Sequence, residues 1–238
     1  TRRGATPDGG SFGPASPGGR RGGGAASDPP SYACGEACLN RQSLLRCDPR
    51  SCPAGRSCGN AEFQACPRPP IAVFLTEHCG WGVKATSTIP AGAFIVEYVG
   101  EVVSASECAA RMDAAREAGA PDVYMMDLGP GLAIDARAKG SVARLINSSC
   151  APNCVAQLWH DAASGEPRVG IFAGERDIRA GEELAYDYAF DPSKKGGGGG
   201  GPGAAPGADY QCKCGAPACR GTIDRAELRA LLESTAGG

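Results

Sequence analysis

The sequence predicts an α+β fold built mainly from small antiparallel sheets. Short apolar segments of strand-like composition, each bounded by glycine, proline or polar residues, recur through the middle of the chain. Only one interior stretch, residues 104–119, has the length and apolar spacing of a helix. Strands and helices therefore do not alternate as they do in a parallel βαβ fold. The 238 residues, 42% of them hydrophobic, suffice for one good core but not for two large ones.

The strand segments predict hairpins, because glycine and proline between two apolar runs reverse the direction of the chain. The predicted strands are residues 71–75, 94–98, 124–127, 132–135, 155–159 and 168–172. Their turns are residues 90–92, 129–131 and 164–165.

The predicted helix carries its own start signal. Ser104 followed by Glu107 forms a capping box, in which the serine side chain satisfies a free amide of the first turn. Cys108, Met112 and Ala115 mark the face that we expect to be buried. We therefore interpret Cys108 as a core residue rather than a reactive one.

Composition excludes several classes of protein. The formal net charge of −2 excludes a strongly basic protein that coats nucleic acid, although a local acidic surface could bind a basic peptide. No apolar run reaches about 18 residues, so we expect no membrane span. No secretion signal is recognisable. Because Thr1 is not methionine, we expect a fragment or a processed chain.

Three segments have the composition of weakly packed chain. Residues 1–33 are mainly Gly, Pro, Ser and Arg, so we expect a disordered tail. This tail could contact DNA weakly through its arginines, although a solvated tail is the simpler interpretation. The arginines are Arg2, Arg3, Arg20 and Arg21. Residues 192–209 contain six consecutive glycines and predict a flexible linker, and residues 224–233 predict a short terminal helix.

Nine of the 13 cysteines fall into two clusters. The clusters read Cys34-x3-Cys38-x8-Cys47-x4-Cys52-x5-Cys58-x7-Cys66 and Cys212-x-Cys214-x4-Cys219. This uneven, odd-numbered set fits thiolate-bound zinc better than the alternative of a secreted disulfide framework. The first cluster is short of aliphatic residues, and structural zinc can supply on the order of 10 kcal/mol of folding free energy in such a segment.

Three stretches together resemble the SET-domain protein-lysine methyltransferases. The first reads Asn147-Ser-Ser-Cys-Ala-Pro-Asn153 where the family has Asn-His-Ser-Cys-x-Pro-Asn, so Ser148 replaces a histidine. The second is Glu183-Leu-Ala-Tyr-Asp-Tyr-Ala-Phe190. The third, Cys212-x-Cys214-x4-Cys219-Arg-Gly, resembles the post-SET zinc segment. A chance match of all three in this order and spacing is not expected.

Upstream, Cys34-Gly-Glu-Ala-Cys-Leu-Asn-Arg41 and the Cys52–Cys58 segment resemble the AWS (associated with SET) module. The resemblance covers residues 34–223 and implies the SET β-clip, in which the segment of Asn147 threads beneath a later loop in a pseudoknot. It also predicts a strand at residues 98–102, which match a strand of the family. The implied divisions are an AWS module at 34–70 that is incomplete at its N-terminal end, a SET domain at 71–191, the linker at 192–209, a post-SET segment at 210–226 and a C-terminal helix or tail at 227–238.

The resemblance implies S-adenosylmethionine as cofactor. The implied contacts are Gly80, Trp81, Gly82, Tyr124, Arg144, Asn147 and Ser148. Glycine permits backbone to approach a cofactor closely, although a Gly-x-Gly alone also marks plain turns. Tyr124 is an ordinary half-buried strand tyrosine in the alternative interpretation. We expect Ser148 to weaken cofactor binding roughly 5- to 150-fold by losing the contacts of the family histidine.

Two tyrosines are the implied catalytic residues. Tyr188 matches the catalytic tyrosine of the family, and Tyr186 matches the position that tunes how many methyl groups are added. Two residues apart on a strand, they share one face, which suits a lysine channel but equally a core.

The same resemblance implies about two zinc ions per chain. Cys150, Cys212, Cys214 and Cys219 would form the post-SET site, and Cys34, Cys47, Cys52 and Cys58 an AWS site. Cys34 and Cys38 would be half of a further site, and Cys66 and Cys154 would be structural.

The implied activity is mono- and dimethylation of histone H3 lysine 36, as in the ASH and NSD branches of the family. Lysine 4 is an alternative target, and a catalytically weak pseudoenzyme that binds chromatin is an alternative of a different class. The implied partner is the histone H3 tail or the nucleosome, and the implied location is the nucleus, on the chromosome.

Overall fold

The computed structural model describes residues 38–65, 70–119, 124–190, 199–200 and 210–223. All of these belong to one compact unit, Tyr32–Gly238. The predicted tail at 1–33, Cys34, Cys66, most of the linker and the terminal helix lie outside the described residues. Within the linker range, Gly199–Gly200 is described and pairs with Ala189–Phe190. No helix in the described part of the chain is long and apolar enough to cross a membrane.

Within the described residues, fifteen strands form six small sheets, most of them antiparallel, as the sequence predicts. The strands are β1 (Leu45–Arg46), β2 (Ile71–Leu75), β3 (Trp81–Ala85), β4 (Phe94–Tyr98), β5 (Glu101–Ser104), β6 (Met125–Asp127), β7 (Leu132–Asp135), β8 (Asn147–Ser148), β9 (Cys154–Asp161), β10 (Pro167–Ala173), β11 (Ala185–Tyr186), β12 (Ala189–Phe190), β13 (Gly199–Gly200), β14 (Tyr210–Gln211) and β15 (Thr222–Ile223). The α-helices are α1 (Leu39–Gln42), α2 (Glu62–Ala65) and α3 (Ala105–Glu117), and short 3-10 helices span Gly55–Ser57 and Val142–Leu145.

The largest sheet has the strand order β1-β9-β10-β4. Its central hairpin, β9–β10, turns at Gly165, which has a φ of +73° that favours glycine. Phe63 of α2 packs against Phe94, Trp159 and Phe172 of this sheet, with ring centroids 4.8 to 6.2 Å away. This aromatic cluster attaches the cysteine-rich N-terminal part to the sheets.

The predicted helix is confirmed and lies beside the sheet β5-β7-β6. The backbone amide of Glu107 donates to the Ser104 hydroxyl at 3.2 Å, and Cys108 and Met112 are buried. Asp135 at the end of β7 accepts from Arg111 of α3 and from Arg137, at 2.9 and 2.7 Å. Although burial opposes it, these hydrogen bonds hold the pKa of Asp135 well below its usual range. The ion pairs therefore fix α3 to the sheet.

The predicted strand at 98–102 does not form as one piece, because β4 ends at Tyr98 and β5 begins at Glu101. The reason is Gly100: a Cβ there would lie 2.5 Å from the carbonyl oxygen of Asp135. The chain crosses at this glycine from the largest sheet to the sheet of β5. Tyr98 consequently closes a strand at the boundary between two sheets.

Candidate active site and metal centres

The centre of the molecule is a parallel pair of two-residue strands, β8 and β11. Asn147 lies opposite Ala185, and Ser148 lies opposite Tyr186. The pairing continues one step further, because the amide of Ser149 donates to the Tyr186 carbonyl at 3.1 Å. Two stretches far apart in the chain are thereby brought into contact, and they are the stretches that the sequence analysis selected.

The two implied catalytic tyrosines lie side by side. Their ring centroids are 4.9 Å apart, and the rings are tilted by 47°. Tyr186 is buried, and Tyr188 packs against the main core while remaining partly exposed. The Tyr188 hydroxyl donates to the Ile146 carbonyl at 2.6 Å. The phenol of Tyr188 is thus held at a defined point rather than free to rotate.

Tyr98 is a residue that the sequence analysis assigned only to a strand. Its side chain is fully buried, and its hydroxyl has no hydrogen-bond partner among the described residues. Burial, reinforced by Tyr188 and Tyr124, raises the pKa of Tyr98 well above its usual range, so the phenol is neutral. An unpaired buried hydroxyl is costly. This hydroxyl is therefore a candidate contact for a polar group that enters among the tyrosines.

Arg144 and Tyr124 form a second part of the site. The guanidinium carbon of Arg144 lies 5.3 Å from the centre of the Tyr124 ring, which is cation–π geometry. Arg144 Nη1 also donates to the carbonyls of Ala136 and Arg137, at 2.8 and 2.9 Å. Arg144 therefore fixes the chain around Tyr124. Tyr124 packs against the main core, and its role in a pocket stays a prediction.

A cleft of about 390 Å³ lies next to β8. Asn147 and Ser148 line it, together with the 76–79 loop and residues 213–215 near the C-terminal end. The remaining implied cofactor contacts do not line this cleft; they are Gly80, Trp81, Gly82, Tyr124 and Arg144. Asn147 connects the cleft to Trp81, because its Nδ2 donates to the Trp81 carbonyl at 3.3 Å.

The structure shows why residue 82 must be a glycine, which the sequence did not indicate. A Cβ at Gly82 would lie 2.6 Å from Thr76 Cγ2, 2.9 Å from Glu183 Oε1 and 3.1 Å from Asn147 Nδ2. Glu183 Oε1 in turn accepts from Asn147 Nδ2 at 3.0 Å. Gly82 thus makes room for the Glu183–Asn147 contact. Gly80 has a φ of +71° and is required by the turn itself.

The first candidate metal centre consists of four cysteines. The sulfurs of Cys150, Cys212, Cys214 and Cys219 all lie within 4.8 Å of one another. Cys150 Sγ lies 3.7 Å from Cys212 Sγ and 4.0 Å from Cys219 Sγ. Four thiolates about 2.3 Å from a tetrahedral zinc would be separated by about 3.8 Å. The sulfurs are too far apart for disulfides, which need about 2.05 Å, and their arrangement fits zinc.

Backbone amides surround this cluster. The amide of Arg220 donates to Cys150 Sγ and that of Gly221 to Cys219 Sγ, both at 3.4 Å. Although burial opposes it, hydrogen bonds from the backbone of Cys150 and Ala216 lower the pKa of Cys214 to about 6, whereas burial raises the pKa of Cys212 to about 12. Outside the cluster, burial raises the pKa of Cys154 to about 12 and that of Cys108 to about 11. Those two thiols stay neutral and belong to the core.

The second candidate metal centre consists of three cysteines. The sulfurs of Cys47, Cys52 and Cys58 lie within 4.8 Å of one another, while Cys38 is not part of any such group in the described part of the chain. The side-chain amides of Asn40 and Asn60 both donate to Cys47 Sγ at 3.2 Å, as expected around a metal-bound thiolate. Cys34, the implied fourth ligand, lies outside the described residues. No disulfide joins the cysteines that the structure describes.

An ion pair links the C-terminal cysteines to the tyrosines. Arg220 Nη2 donates to Asp187 Oδ1 at 2.6 Å, and Asp187 stands between Tyr186 and Tyr188. The sequence analysis selected neither residue as functional, although Arg220 follows the last cysteine directly. The segment that carries the cysteines therefore contacts both the cleft and the tyrosine strand.

Comparison with known proteins agrees with this architecture. A family model described as SET domain matches residues 80–189, and one described as AWS domain matches residues 28–66. Histone-lysine N-methyltransferase ASHH1 of Arabidopsis thaliana is 42% identical over 206 residues, which are 87% of this chain and 39% of ASHH1. The H3 lysine-36 specific histone-lysine N-methyltransferase of Homo sapiens is 39% identical over 186 residues, which are 78% of this chain and 6% of that protein.

A solved structure leads to the same family. The crystal structure of KRYPTONITE in complex with mCHG DNA and SAH matches with a TM-score of 0.57 and 28% identity, over 76% of this chain and 34% of that chain. The chain spans less than two fifths of the length of each of these three proteins. The chain belongs to the SET-domain family and carries an AWS domain in front of its SET domain.

Proposed function

We propose that the chain is an S-adenosylmethionine-dependent histone-lysine N-methyltransferase. The observation that carries this proposal is that one segment, Ile146 to Ser148, both anchors the Tyr188 hydroxyl and lines a cleft. A substrate amine at Tyr188 and a cofactor in the cleft would then be held by the same segment. The names of the relatives support the substrate class, since both are histone-lysine N-methyltransferases.

Bound S-adenosylmethionine would supply an electrophilic methyl group on a sulfonium, and the protein would position and deprotonate the lysine. A free lysine has a pKa of about 10.4, and burial lowers it because the charged form loses hydration. The buried rings of Tyr98 and Tyr186 provide such a dry environment. Their hydroxyls and that of Tyr188 can orient the neutral amine for in-line attack.

The proposal assigns the site residues to two groups, one that acts on the amine and one that holds the cofactor. Tyr188 orients the reacting amine, and Tyr186 limits the space around it. The cofactor is held by the Asn147 side chain and by the backbone of Ser148 and of residues 80–82, while Arg144 and Tyr124 are assigned to its pocket by the family resemblance. Glu183 supports this group, because its carboxylate fixes the Asn147 amide.

The target that we propose is lysine 36 of histone H3, presented by the nucleosome, with mono- and dimethyllysine as products. The name of the human relative, which specifies H3 lysine 36, favours this lysine over lysine 4. The location that follows is the nucleus, on the chromosome. KRYPTONITE was crystallised with DNA, and a weak DNA contact through the basic tail of the present chain is part of the proposal.

The test is mass spectrometry of recombinant nucleosomes after incubation with the chain and isotope-labelled cofactor. We expect label on histone H3 lysine 36. Label mainly on lysine 4 would make lysine 4 the target instead of lysine 36. Cofactor binding without any transferred label would support the pseudoenzyme.

We expect about two zinc ions per chain, one for each cysteine cluster. Elemental analysis of the purified protein checks this number. Three ions per chain would mean that Cys38 takes part in a further complete site. A value near zero would exclude zinc from both clusters.

Tyr186→Phe should shift the product toward higher methylation states. The Tyr186 side chain is fully buried beside Tyr188, so removing its hydroxyl frees space next to the reacting amine. The ratio of mono-, di- and trimethyllysine, measured by mass spectrometry at equal turnover, checks this result. If the wild type already makes mostly trimethyllysine, Tyr186 is not the residue that limits methylation.

A further inference from the structure

Ser148 stands where the family resemblance has a histidine, and its hydroxyl makes a contact that the sequence did not predict. The backbone amide of Tyr188 donates to Ser148 Oγ at 3.2 Å. Ser148 is half-buried on β8, directly opposite Tyr186. Its side chain therefore contacts the tyrosine strand as well as the cleft.

This contact lies just beyond the end of the backbone ladder between β8 and β11. The ladder ends where the amide of Ser149 donates to the Tyr186 carbonyl. Beyond that point the amide of Tyr188 has the Ser148 hydroxyl as its acceptor. A side-chain oxygen here extends the pairing by two residues, from Tyr186 to Tyr188.

The segment of Ile146 to Ser148 consequently holds both ends of Tyr188. The hydroxyl end donates to the carbonyl of Ile146, which is completely buried, at 2.6 Å. The backbone end donates to Ser148 Oγ. These two hydrogen bonds, one at the backbone amide and one at the hydroxyl, restrict where the phenol of Tyr188 can lie. Such restriction matters, because a misplacement of about 1 Å at reacting atoms can cost about 100-fold in rate.

We propose that Ser148 is a positioning residue for Tyr188, and that its hydroxyl acts on catalysis through the tyrosine backbone rather than through the cofactor. The proposal rests on the proposed function, in which Tyr188 orients the reacting amine. It differs from what the family resemblance implies for this position, namely a contact to the cofactor.

The test compares Ser148→Ala with Ser148→Thr. Alanine removes the acceptor, whereas threonine keeps an oxygen at the same position and is well suited to a strand. Three quantities are measured: the affinity for S-adenosylhomocysteine by calorimetry, kcat and KM on nucleosomes, and the hydrogen-exchange rate of the Tyr188 amide. In Ser148→Ala we expect kcat to fall about 3- to 10-fold, as for loss of one hydrogen bond. We expect the Tyr188 amide to exchange faster and the affinity to stay within about twofold of wild type. Ser148→Thr should restore all three.

Two results would overturn the proposal. One is an unchanged exchange rate in Ser148→Ala together with an affinity loss that matches the loss of activity, which would make Ser148 a cofactor contact. The other is faster exchange with unchanged kcat in an active enzyme, which would make the hydrogen bond merely structural. If the wild type methylates no histone, the proposed function fails by itself, and the exchange rates of the two variants alone decide whether Ser148 holds Tyr188.

Discussion

Tyr188→Phe should lower kcat by about 100-fold or more while the protein stays folded. A positioned acid, base or hydrogen-bonding group at the reacting atoms contributes roughly 100- to 10,000-fold to rate. The substitution removes only the hydroxyl that donates to the Ile146 carbonyl at 2.6 Å. The ring keeps its packing against Tyr186 and the core.

The effect on stability should be small by comparison. Loss of the hydrogen bond to Ile146 costs about 1 kcal/mol, which corresponds to about 2–4 °C in melting temperature for a domain of this size. Cofactor affinity and metal content should not change, because Tyr188 is not among the residues that line the cleft and is not a candidate metal ligand. Single-turnover kinetics with saturating cofactor, next to a thermal melt, separate the two effects. Near-normal turnover in this variant would exclude Tyr188 as the group that orients the amine.

The fold was predictable from the sequence where the signal is local. The apolar alternation of β2, β4, β9 and β10 and the capping box of Ser104 and Glu107 are each contained in a few neighbouring residues. Both kinds of element formed where they were expected. The exception, the broken strand at Gly100, depends on the Asp135 carbonyl, which is 35 positions away in the sequence and invisible in a local pattern.

The candidate site was predictable only in part, because its geometry is not local. Asn147 meets Ala185 through a parallel pair, and no periodicity within either stretch indicates the other. The resemblance to the SET family supplied that connection. It included Glu183 in a family stretch but gave it no role, and the contact of its carboxylate with Asn147 in the space left by Gly82 is visible only in the structure.

Arg220 and Tyr98 are two further residues whose contacts depend on neighbours that are distant in the sequence. Arg220 has an acidic partner, Asp187, that is 33 residues earlier in the chain, so the pair exists only once the cysteine cluster has formed. Tyr98 satisfies the strand pattern of β4, and that interpretation is correct as far as it goes. Its second property, a buried hydroxyl without a partner in the described residues, is visible only when its neighbours are in place.

Cys150→Ala should remove one zinc ion per chain and nearly all activity. Cys150 lies on the loop that follows β8, and the other three sulfurs of its cluster belong to residues 212–219. Metal at this site therefore joins the C-terminal segment to the loop that directly follows the strand of Asn147. A structural zinc site can contribute on the order of 10 kcal/mol, far more than an exposed ion pair such as Arg220–Asp187 could replace.

Loss of this connection should act on the cofactor first. Lys213, Cys214 and Gly215 form one wall of the cleft that Asn147 lines, so release of the segment opens the cleft to solvent. We expect S-adenosylhomocysteine binding to become too weak to measure by calorimetry. The main core should persist, because it is formed by other residues, and circular dichroism should change little.

Two variants make the result specific. Cys150→His offers zinc a nitrogen ligand in place of sulfur, a combination found in natural Cys3His sites, and should recover part of the metal and of the cofactor binding. Cys108→Ala also deletes one thiol, but this thiol is buried in the core between α3 and its sheet, so the variant should keep its full metal content. Metal content by elemental analysis and cofactor affinity by calorimetry should therefore fall together in Cys150→Ala and remain in Cys108→Ala. Full cofactor affinity in Cys150→Ala with one zinc missing would show that the metal does not hold the wall of the cleft.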